Sequence, residues 1–195
     1  MLLSVALLFL GACQATPPAA APLRAGLVTM RGKAVTLVGS AVGVGDAAPG
    51  FTAVGTDLGE RTLAEFRGRT VILCTVPSLD TTVCDLETRN FNEKVGALPQ
   101  GIVVLTVSMD LPFAQKRWCG AHDTSRVVTL SDSKLREVGE RYGLLMKESG
   151  LLARAVLVID SGGVVRYQQI VPEVASEPDY DKALAAAKAA AESAK

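Results

Sequence analysis

The chain of 195 residues is long enough for one domain with a complete hydrophobic core and too short for two domains of ordinary size. Hydrophobic residues make up 49% of it and charged residues 21%, which excludes intrinsic disorder. Twenty basic and twenty acidic residues cancel, so we expect no binding of nucleic acid. The single histidine and the four scattered cysteines lack the paired spacing of metal ligands, and we expect neither a metal nor a cofactor.

The N-terminus is predicted to lie outside the fold, with residues 1–25 as leader and Ala/Pro-rich spacer and residues 26–195 as the domain. Residues 1–12 are almost wholly apolar, too short to span a bilayer and as long as the hydrophobic part of a signal peptide. They lead into Leu-Gly-Ala-Cys at Cys13, which resembles the lipobox of bacterial lipoproteins. That resemblance implies a lipid on Cys13 and a protein anchored in the cell envelope.

Two other interpretations of the leader stay open. A signal peptide cut near Ala15 would discard Cys13 and release the protein into the periplasm. A leader without signal function would stay on a cytoplasmic protein. No Lys or Arg precedes Arg24, so the basic region that usually opens a signal peptide is missing or lies upstream. We place the lipid-anchored form first, and we expect contact with a membrane only through that anchor.

The first part of the domain is predicted to consist of strands and one helical turn. The patterns indicate a hairpin around Arg31-Gly32-Lys33, a short strand and a turn of helix capped by Thr62: 28–30 with 34–37, then 51–54, then 63–66. The run at 71–76 is mostly β-branched and apolar, which predicts a strand buried on both faces. Pro77 ends that strand because it has no N–H for the ladder.

Cys84 is predicted to stand in the first turn of a helix that leaves this buried strand. Apolar residues recur near helical spacing from Val83 onward, and the candidate caps are Asp80, Thr81 or Thr82. Free N–H groups and the positive end of the helix dipole favour a thiolate there, and such placements lower a cysteine pKa from about 8.5 to roughly 3.5–7.5. Cys84 is therefore a candidate nucleophile; the alternative is a small apolar residue packed inside a helix.

The rest of the chain alternates predicted strands and helices. These are a buried strand at 102–108, a helix at 113–118 capped by Asp110 and stopped by Gly120, an edge-like strand at 127–130, a helix at 133–142, a hairpin of 155–160 with 164–171, and an alanine-rich helix at 183–191. The strand at 102–108 runs parallel to that at 71–76 if the Cys84 helix is the crossover. This order is typical of a thioredoxin-like α/β domain.

Separated motifs carry a resemblance to one enzyme family. Pro77, Thr81 and Cys84 form a Pro-x-x-x-Thr-x-x-Cys pattern that resembles the peroxidatic motif of the peroxiredoxins. Residues 110–119, Asp-Leu-Pro-Phe-Ala-Gln-Lys-Arg-Trp-Cys, resemble the resolving-cysteine segment of bacterial thiol peroxidases, which are atypical two-cysteine peroxiredoxins. The resemblance extends from about Val28 to the end of the chain, with further matches at 127–132, 150–156 and 177–180.

The resemblance implies a role for each matched residue. Cys84 is then the peroxidatic cysteine and Cys119 the resolving cysteine, and the two form an intramolecular disulfide. Thr81 orients the peroxide, Arg154 supplies a guanidinium beside the sulfur, and Pro77 shields the sulfur from water. Taken alone, an arginine at the entry of a strand is more often exposed and in a weak surface ion pair, which is the alternative for Arg154.

The same resemblance implies a thioredoxin-like fold of peroxiredoxin type with an N-terminal β-hairpin. It also implies reduction of hydrogen peroxide and organic hydroperoxides, recycling by thioredoxin or a thioredoxin-like donor, and a homodimer. Cys74 has no counterpart role, and a cysteine inside a buried strand is expected to be inert packing.

Two other functions would suit a thioredoxin-like fold. A thiol–disulfide oxidoreductase is disfavoured because those enzymes use C-x-x-C, which this chain lacks. A redox-inactive binding module is disfavoured because four residues of the peroxidatic and resolving motifs occur together: Thr81, Cys84, Cys119 and Arg154.

Overall fold

The structure, a computed structural model, describes residues 20–122 and 124–193. Cys13 and almost all of the predicted leader lie outside the described residues, so the lipid anchor stays a prediction. Within the described ranges, no helix combines the length and the hydrophobicity needed to cross a bilayer. The same ranges contain no cluster of three or more His, Cys, Asp or Glu side chains arranged to hold a metal ion.

The strands of the described residues are numbered in chain order: β1 (Leu23–Met30), β2 (Lys33–Val38), β3 (Thr52–Gly55), β4 (Glu60–Thr62), β5 (Thr70–Thr75), β6 (Ile102–Ser108), β7 (Val127–Ser131), β8 (Leu145–Met146), β9 (Ala155–Ile159) and β10 (Val165–Ile170). The α-helices are α1 (Thr82–Lys94), α2 (Pro112–Ala121), α3 (Glu137–Arg141) and α4 (Tyr180–Glu192). Short 3-10 turns span Leu63–Phe66, as predicted, and Val95–Ala97.

A seven-stranded sheet in the order β10-β9-β5-β6-β7-β3-β4 forms the centre of the molecule. Strands β5, β6 and β7 are parallel to one another, and β9 pairs antiparallel to β5. The helix that carries Cys84 connects β5 to β6, so the predicted parallel crossover is confirmed. A smaller sheet, β1-β2-β8, contains the predicted N-terminal hairpin.

Both faces of the central sheet are covered, which is why every residue of β5 is buried. Alternate residues point to opposite faces, so Leu73 and Leu105 pack with Tyr142 on one side. On the other side Ile72 and Val104 pack against α1 and α4. This packing holds the start of α1 at the carboxyl end of β5, where Cys84 lies.

Two predictions about the strands are wrong, one on the position of β7 in the sheet and one on the start of β1. Strand β7 is not at an edge, because the short strand β3 pairs with it on the side away from β6. Strand β1 begins at Leu23, inside the segment predicted as spacer, because Leu23 pairs with Val38 of β2. In both cases the partner comes from a separate strand, which the local pattern does not reveal.

The predicted ends of α2 are also wrong. Leu111, and not Asp110, occupies the N-cap, and the helix passes through Gly120 to its end. The Asp110 carboxylate accepts hydrogen bonds from the Leu79 N–H at 2.8 Å and from the Ser108 hydroxyl at 2.8 Å. Asp110 therefore ties the loop before α1 to the end of β6, a tertiary contact that replaces the predicted local cap.

The last two helices differ from prediction in length. Helix α3 is shorter than predicted because Arg136 has a left-handed backbone with φ of 57°, which a regular helix cannot continue through. Helix α4 begins earlier, at Tyr180, because the Asp179 carboxylate caps it by accepting the Lys182 N–H at 3.0 Å.

Candidate active site

The junction between β5 and α1 buries Cys84 next to two residues, Thr81 and Arg154, that line a surface pocket. Thr81 is the N-cap of α1, and Cys84, in the first turn of the helix, is 0% exposed. The Thr81 hydroxyl oxygen lies 2.8 Å from the Cys84 sulfur and 2.9 Å from the Ser78 carbonyl oxygen. Because a hydroxyl has one proton, it donates to the sulfur of a thiolate. When the sulfur carries a proton, the Thr81 hydroxyl can instead accept a hydrogen bond from the thiol and donate its own proton to the Ser78 carbonyl.

Arg154 supplies the second donor to the same sulfur. It directly precedes β9 and is 1% exposed, so the interpretation as an exposed surface arginine is wrong. Its Nη2 lies 3.2 Å from the Cys84 sulfur, its Nε donates to the Val174 carbonyl at 2.9 Å, and its Nη1 donates to Glu87. Burial lowers the pKa of Arg154, but the charges of Glu87 and Cys84 outweigh that effect and raise it above its usual value. The guanidinium is therefore fixed and charged beside the sulfur.

Glu87 is a site residue that sequence reasoning missed. It is fully buried on the inner face of α1, one turn after Cys84, and its carboxylate pairs with Arg154. Burial raises the pKa of Glu87 to about 7, against the opposing effect of the Arg154 guanidinium. A signal was present, since Glu87 shares the buried helical face with Cys84 and Phe91, and a carboxylate on such a face needs a charged partner.

A pocket of about 400 Å³ opens above these residues. Thr81 and Arg154, which contact the Cys84 sulfur, are part of its polar lining, and the predicted Pro77 lines it as well. The other polar lining residues are Arg31, Asp80 and Thr82. Apolar side chains from other segments contribute as well, notably Met30 at the end of β1 and Val174 in the loop after β10. The pocket thus joins a polar floor beside the sulfur to a largely apolar wall, which suits a small polar group with an organic substituent.

Cys119 lies on α2 and packs against the buried cluster that contains Cys84, but its sulfur contacts β7. It is half-buried, and its sulfur is 3.2 Å from the Thr129 hydroxyl oxygen of β7. It lines a separate cavity of about 340 Å³ next to Thr129 and Arg61. Both Cys119 and Cys84 are free thiols, so the structure corresponds to the reduced form of the protein. The side chains of Thr81 and Arg154 meet at Cys84, and Cys119 is not among the residues hydrogen-bonded to it.

A polar contact links the helices that carry the two cysteines. Asp85, directly after Cys84, accepts a hydrogen bond from the Trp118 indole N–H at 3.0 Å. The same Asp85 oxygen is 3.3 Å from His122 Nε2, and the His122 ring stacks on Trp118 with centroids 4.7 Å apart. We call Asp85, Trp118 and His122 the Asp85 clasp. It ties the start of α1 to the end of α2, around Cys119.

Cys74 lies near the end of β5 and makes none of these contacts. It is 1% exposed, and burial, followed by the nearby Glu87 charge, raises the pKa of its thiol well above the usual value. Because the thiolate is the reactive form of a cysteine, both effects oppose reaction at Cys74, as expected for inert packing.

Comparison with known proteins relates this geometry to a family. The model of the Redoxin family matches residues 43–184. The chain is 48% identical over 163 residues to the thiol peroxidase of Listeria monocytogenes serotype 4b (strain F2365), an alignment that covers 84% of this chain and 98% of that relative. It is also 48% identical over 162 residues to the thiol peroxidase of Bacillus subtilis (strain 168), which covers 83% of this chain and 96% of that relative.

A solved structure agrees with these relatives. The crystal structure of a peroxiredoxin-like protein from Aquifex aeolicus matches with a TM-score of 0.79 and 42% identity, covering 85% of this chain and 98% of that chain. The structure shows the predicted β-α-β unit followed by a helix, a hairpin and a last helix, with Cys84 in the first turn of the helix after β5. The predicted thioredoxin-like fold is thereby confirmed, and the chain belongs to the Redoxin family as a peroxiredoxin-type thiol peroxidase.

Proposed function

We propose that the protein reduces hydrogen peroxide and organic hydroperoxides by a cycle of two cysteines, Cys84 and Cys119. The observation that carries this proposal is the convergence of the Thr81 hydroxyl and the Arg154 guanidinium on the buried Cys84 sulfur. Two donors aimed at one sulfur stabilise a negative charge there, which is what a thiolate nucleophile needs. A cysteine that only fills space in the core does not require two hydrogen-bond donors at its sulfur.

In the first step the Cys84 thiolate attacks the terminal oxygen of the hydroperoxide. The S–O bond forms as the O–O bond breaks, so the sulfur is oxidised to a sulfenic acid and the peroxide is reduced. The leaving alkoxide or hydroxide takes up a proton and departs as an alcohol or as water. Arg154 and Thr81 stabilise the negative charge as it moves from sulfur to the leaving oxygen.

In the second step the Cys119 thiolate attacks the sulfur of the sulfenic acid. A disulfide forms and the hydroxyl leaves as water, which balances the step without a further oxidant. The Cα atoms of the two cysteines must come within about 7 Å for this bond to close. Because Cys119 faces Thr129 in the reduced form, we infer that part of α1 or α2 unwinds during each turnover.

In the third step a dithiol donor reduces the Cys84–Cys119 disulfide by thiol–disulfide exchange. We propose thioredoxin or a thioredoxin-like protein for this role. The support is the family membership, since the reaction needs a two-electron thiol reductant and the chain has no C-x-x-C of its own.

The experiment follows peroxide-dependent NADPH oxidation with purified protein, thioredoxin and thioredoxin reductase. Wild type should turn over, whereas Cys84→Ser, a nearly isosteric change, should show only the rate measured without the protein. Cys119→Ser should consume a single equivalent of peroxide and then stop, with Cys84 open to oxidation to the sulfinic acid. The matched control is Cys74→Ala, which should keep the cycle running. A Cys84→Ser protein that turns over like wild type would disprove the proposal.

A peptide map of peroxide-treated protein tests the disulfide itself. A Cys84–Cys119 link is expected, with a mass lower by the two hydrogens that disulfide formation removes. A Cys74–Cys84 link, or an intermolecular Cys84–Cys84 link, would assign the resolving role to another cysteine.

We propose a homodimer on the basis of two exposed apolar side chains at the start of α2. Leu111 is 59% exposed and Phe113 58% exposed, two residues apart at the N-cap and in the first turn of the helix. A second copy of the chain would cover them. Sedimentation velocity should find a dimer for wild type and a monomer for Phe113→Asp, and a monomeric wild type would exclude this proposal.

We also propose a location in the cell envelope, through a lipid on Cys13. The support is the lipobox-like sequence of the leader. Expression in a Gram-negative bacterium followed by intact-mass analysis separates the three alternatives. A lipidated Cys13 at the N-terminus supports the anchor, Thr16 indicates cleavage and a periplasmic form, and a retained Met1 indicates a cytoplasmic protein.

A further inference from the structure

The tip of the β1–β2 hairpin forms part of the pocket above Cys84. The hairpin turns at Arg31 and Gly32, whose φ angles are 52° and 74°, and Met30 and Arg31 line the pocket. Backbone hydrogen bonds tie this end of the hairpin to the loop after β10. Thr29 N–H donates to the Pro172 carbonyl at 2.7 Å, and Val174 N–H donates to the Thr29 carbonyl at 2.9 Å.

The Glu173 carboxylate joins the same two segments with both of its oxygens. Oε1 accepts the Arg31 N–H at 2.9 Å and the Ala175 N–H at 3.0 Å. Oε2 accepts the Gly32 N–H at 2.9 Å and the Thr29 hydroxyl at 2.8 Å. These hydrogen bonds lower the pKa of Glu173 to about 2, and the Gly32 N–H has the largest effect, followed by the Ala175 N–H. The carboxylate is therefore ionised at any pH at which the enzyme would act.

We propose that Glu173 is a positioning residue that sets the preference of the enzyme for hydroperoxides with an apolar organic group, because it holds Met30 in the wall of the pocket. The inference rests on the proposed peroxidase function and adds a residue through which substrates are distinguished. Glu173 does not line the pocket itself, and it acts through the hairpin tip.

The geometry of the substrate explains why this wall discriminates. The peroxide O–O bond must reach the Cys84 sulfur at the polar floor, so the organic group has to occupy the outer part of the pocket. There Met30 faces other apolar lining residues, among them Pro77, Val83 and Val174. Hydrogen peroxide has no organic group, so it gains nothing from this wall. Burial of an apolar substituent is worth about 1–3 kcal/mol, or about 10–200-fold in kcat/KM.

Glutamine cannot replace Glu173 in this contact. Four donors point at the carboxylate, and an amide offers one acceptor oxygen and an NH₂ group that faces donors. Glu173→Gln should therefore release the hairpin tip and leave the fold intact, because the side chain is only half-buried and is not part of the hydrophobic core.

The test compares kcat/KM for cumene hydroperoxide and for hydrogen peroxide. Glu173→Gln should lower the value for cumene hydroperoxide about tenfold, as loss of an apolar contact predicts, and should change that for hydrogen peroxide less than about twofold. Met30→Ala should reproduce this pattern. The double variant should be no worse than the single ones, because both changes remove the same contact.

Glu148→Gln is the matched control. Glu148 is an exposed carboxylate that accepts a backbone N–H of the same hairpin, that of Thr36 at 2.9 Å, but Thr36 is away from the hairpin tip and does not line the pocket. Glu148→Gln should leave kcat/KM for both peroxides unchanged. An equal fall for both peroxides in Glu173→Gln, or no change for either, would overturn the inference. If the wild type reduced neither peroxide, the proposed function itself would fail.

Discussion

At the residue scale, the site depends on how Arg154 distributes its donors. One guanidinium contacts the Cys84 sulfur, the Glu87 carboxylate and the Val174 carbonyl, and each contact uses a different nitrogen. Three partners around a planar group leave it no alternative orientation. The position of the charge beside the sulfur is thus fixed by the fully buried Glu87 carboxylate and by the Val174 backbone carbonyl.

Replacement of Arg154 by alanine should slow the oxidation of Cys84 by about a hundredfold, the loss typical for one donor to a developing anion. Lysine should not rescue the rate, because a single ammonium group cannot serve three partners. The measurement is stopped-flow fluorescence of Trp118, the sole tryptophan of the sequence, whose ring belongs to the same buried cluster as Cys84.

Arg166→Ala is the control for Arg154, since Arg166 is an exposed arginine paired with Asp160 on the far side of the sheet. Cys84 should be oxidised in Arg166→Ala at the same rate as in wild type. An unchanged rate in Arg154→Ala would show that the guanidinium has no part in the first step.

At the scale of elements, we predict that the Asp85 clasp determines how readily α2 separates from α1. In the proposed cycle Cys119 has to move toward Cys84 while the clasp joins the two helices, so we expect the clasp to oppose the second step and not the first. Trp118→Phe keeps an aromatic ring but removes the indole N–H donor to Asp85. A lost hydrogen bond of about 1 kcal/mol should make disulfide formation about fivefold faster. The fraction of Cys84 oxidised to sulfinic acid at high peroxide should fall accordingly.

Acid quench, thiol alkylation and mass spectrometry would measure both quantities for Trp118→Phe. Arg89→Gln is the matched control, because Arg89 binds the outer oxygen of Asp85 from within α1 and does not reach α2. It should resolve at the rate of wild type. Slower resolution in Trp118→Phe would mean that the clasp guides Cys119 to its target.

A second element-scale contact, between β7 and α3, gives a pH dependence. The buried Asp132 carboxylate accepts the Val138 N–H at 3.1 Å and the Gly139 N–H at 2.8 Å. Burial nevertheless raises the pKa of Asp132 to about 6. The folded state therefore keeps a proton that the unfolded chain releases near pH 4. The stability that this proton contributes is complete below about pH 4 and is lost as the pH rises through about 6.

The free energy of unfolding should consequently fall between about pH 4.5 and about pH 7, by an amount of the order of 2 kcal/mol for Asp132. Glu87, with its pKa raised to about 7, acts in the same direction at the upper end of this range. Urea unfolding at several pH values measures the slope. Asp132→Asn should be less stable overall and show a shallower slope, and an equal slope in both proteins would contradict the assignment.

At the scale of the whole molecule, sequence patterns correctly predicted the features that depend only on neighbouring residues. The apolar run of β5, the break at Pro77 and the spacing of Thr81 and Cys84 each depend on a few neighbours, and all appear in the structure as expected. Motif resemblance, and not composition, singled out Arg154 and Cys119. The pairing of Glu87 with Arg154 joins residues 67 positions apart, so no local window contains it.

The errors have the same origin. Asp110 has the side chain of a helix cap, but tertiary contacts with Leu79 and Ser108 take its carboxylate. Strand β7 has the short pattern of an edge, but β3 arrives from a distant part of the chain and covers it. In each case a long-range partner overrides a correct local preference.

The complete burial of Cys84 under a pocket of about 400 Å³ restricts which molecules can reach its sulfur. A peroxide is small enough to enter, but the face of a protein-sized reductant is not. In the proposed cycle a reductant therefore attacks only after the helix ends have moved to form the disulfide. We expect reduced enzyme not to compete for the reductant, so that reducing equivalents go only to enzyme that has already been oxidised.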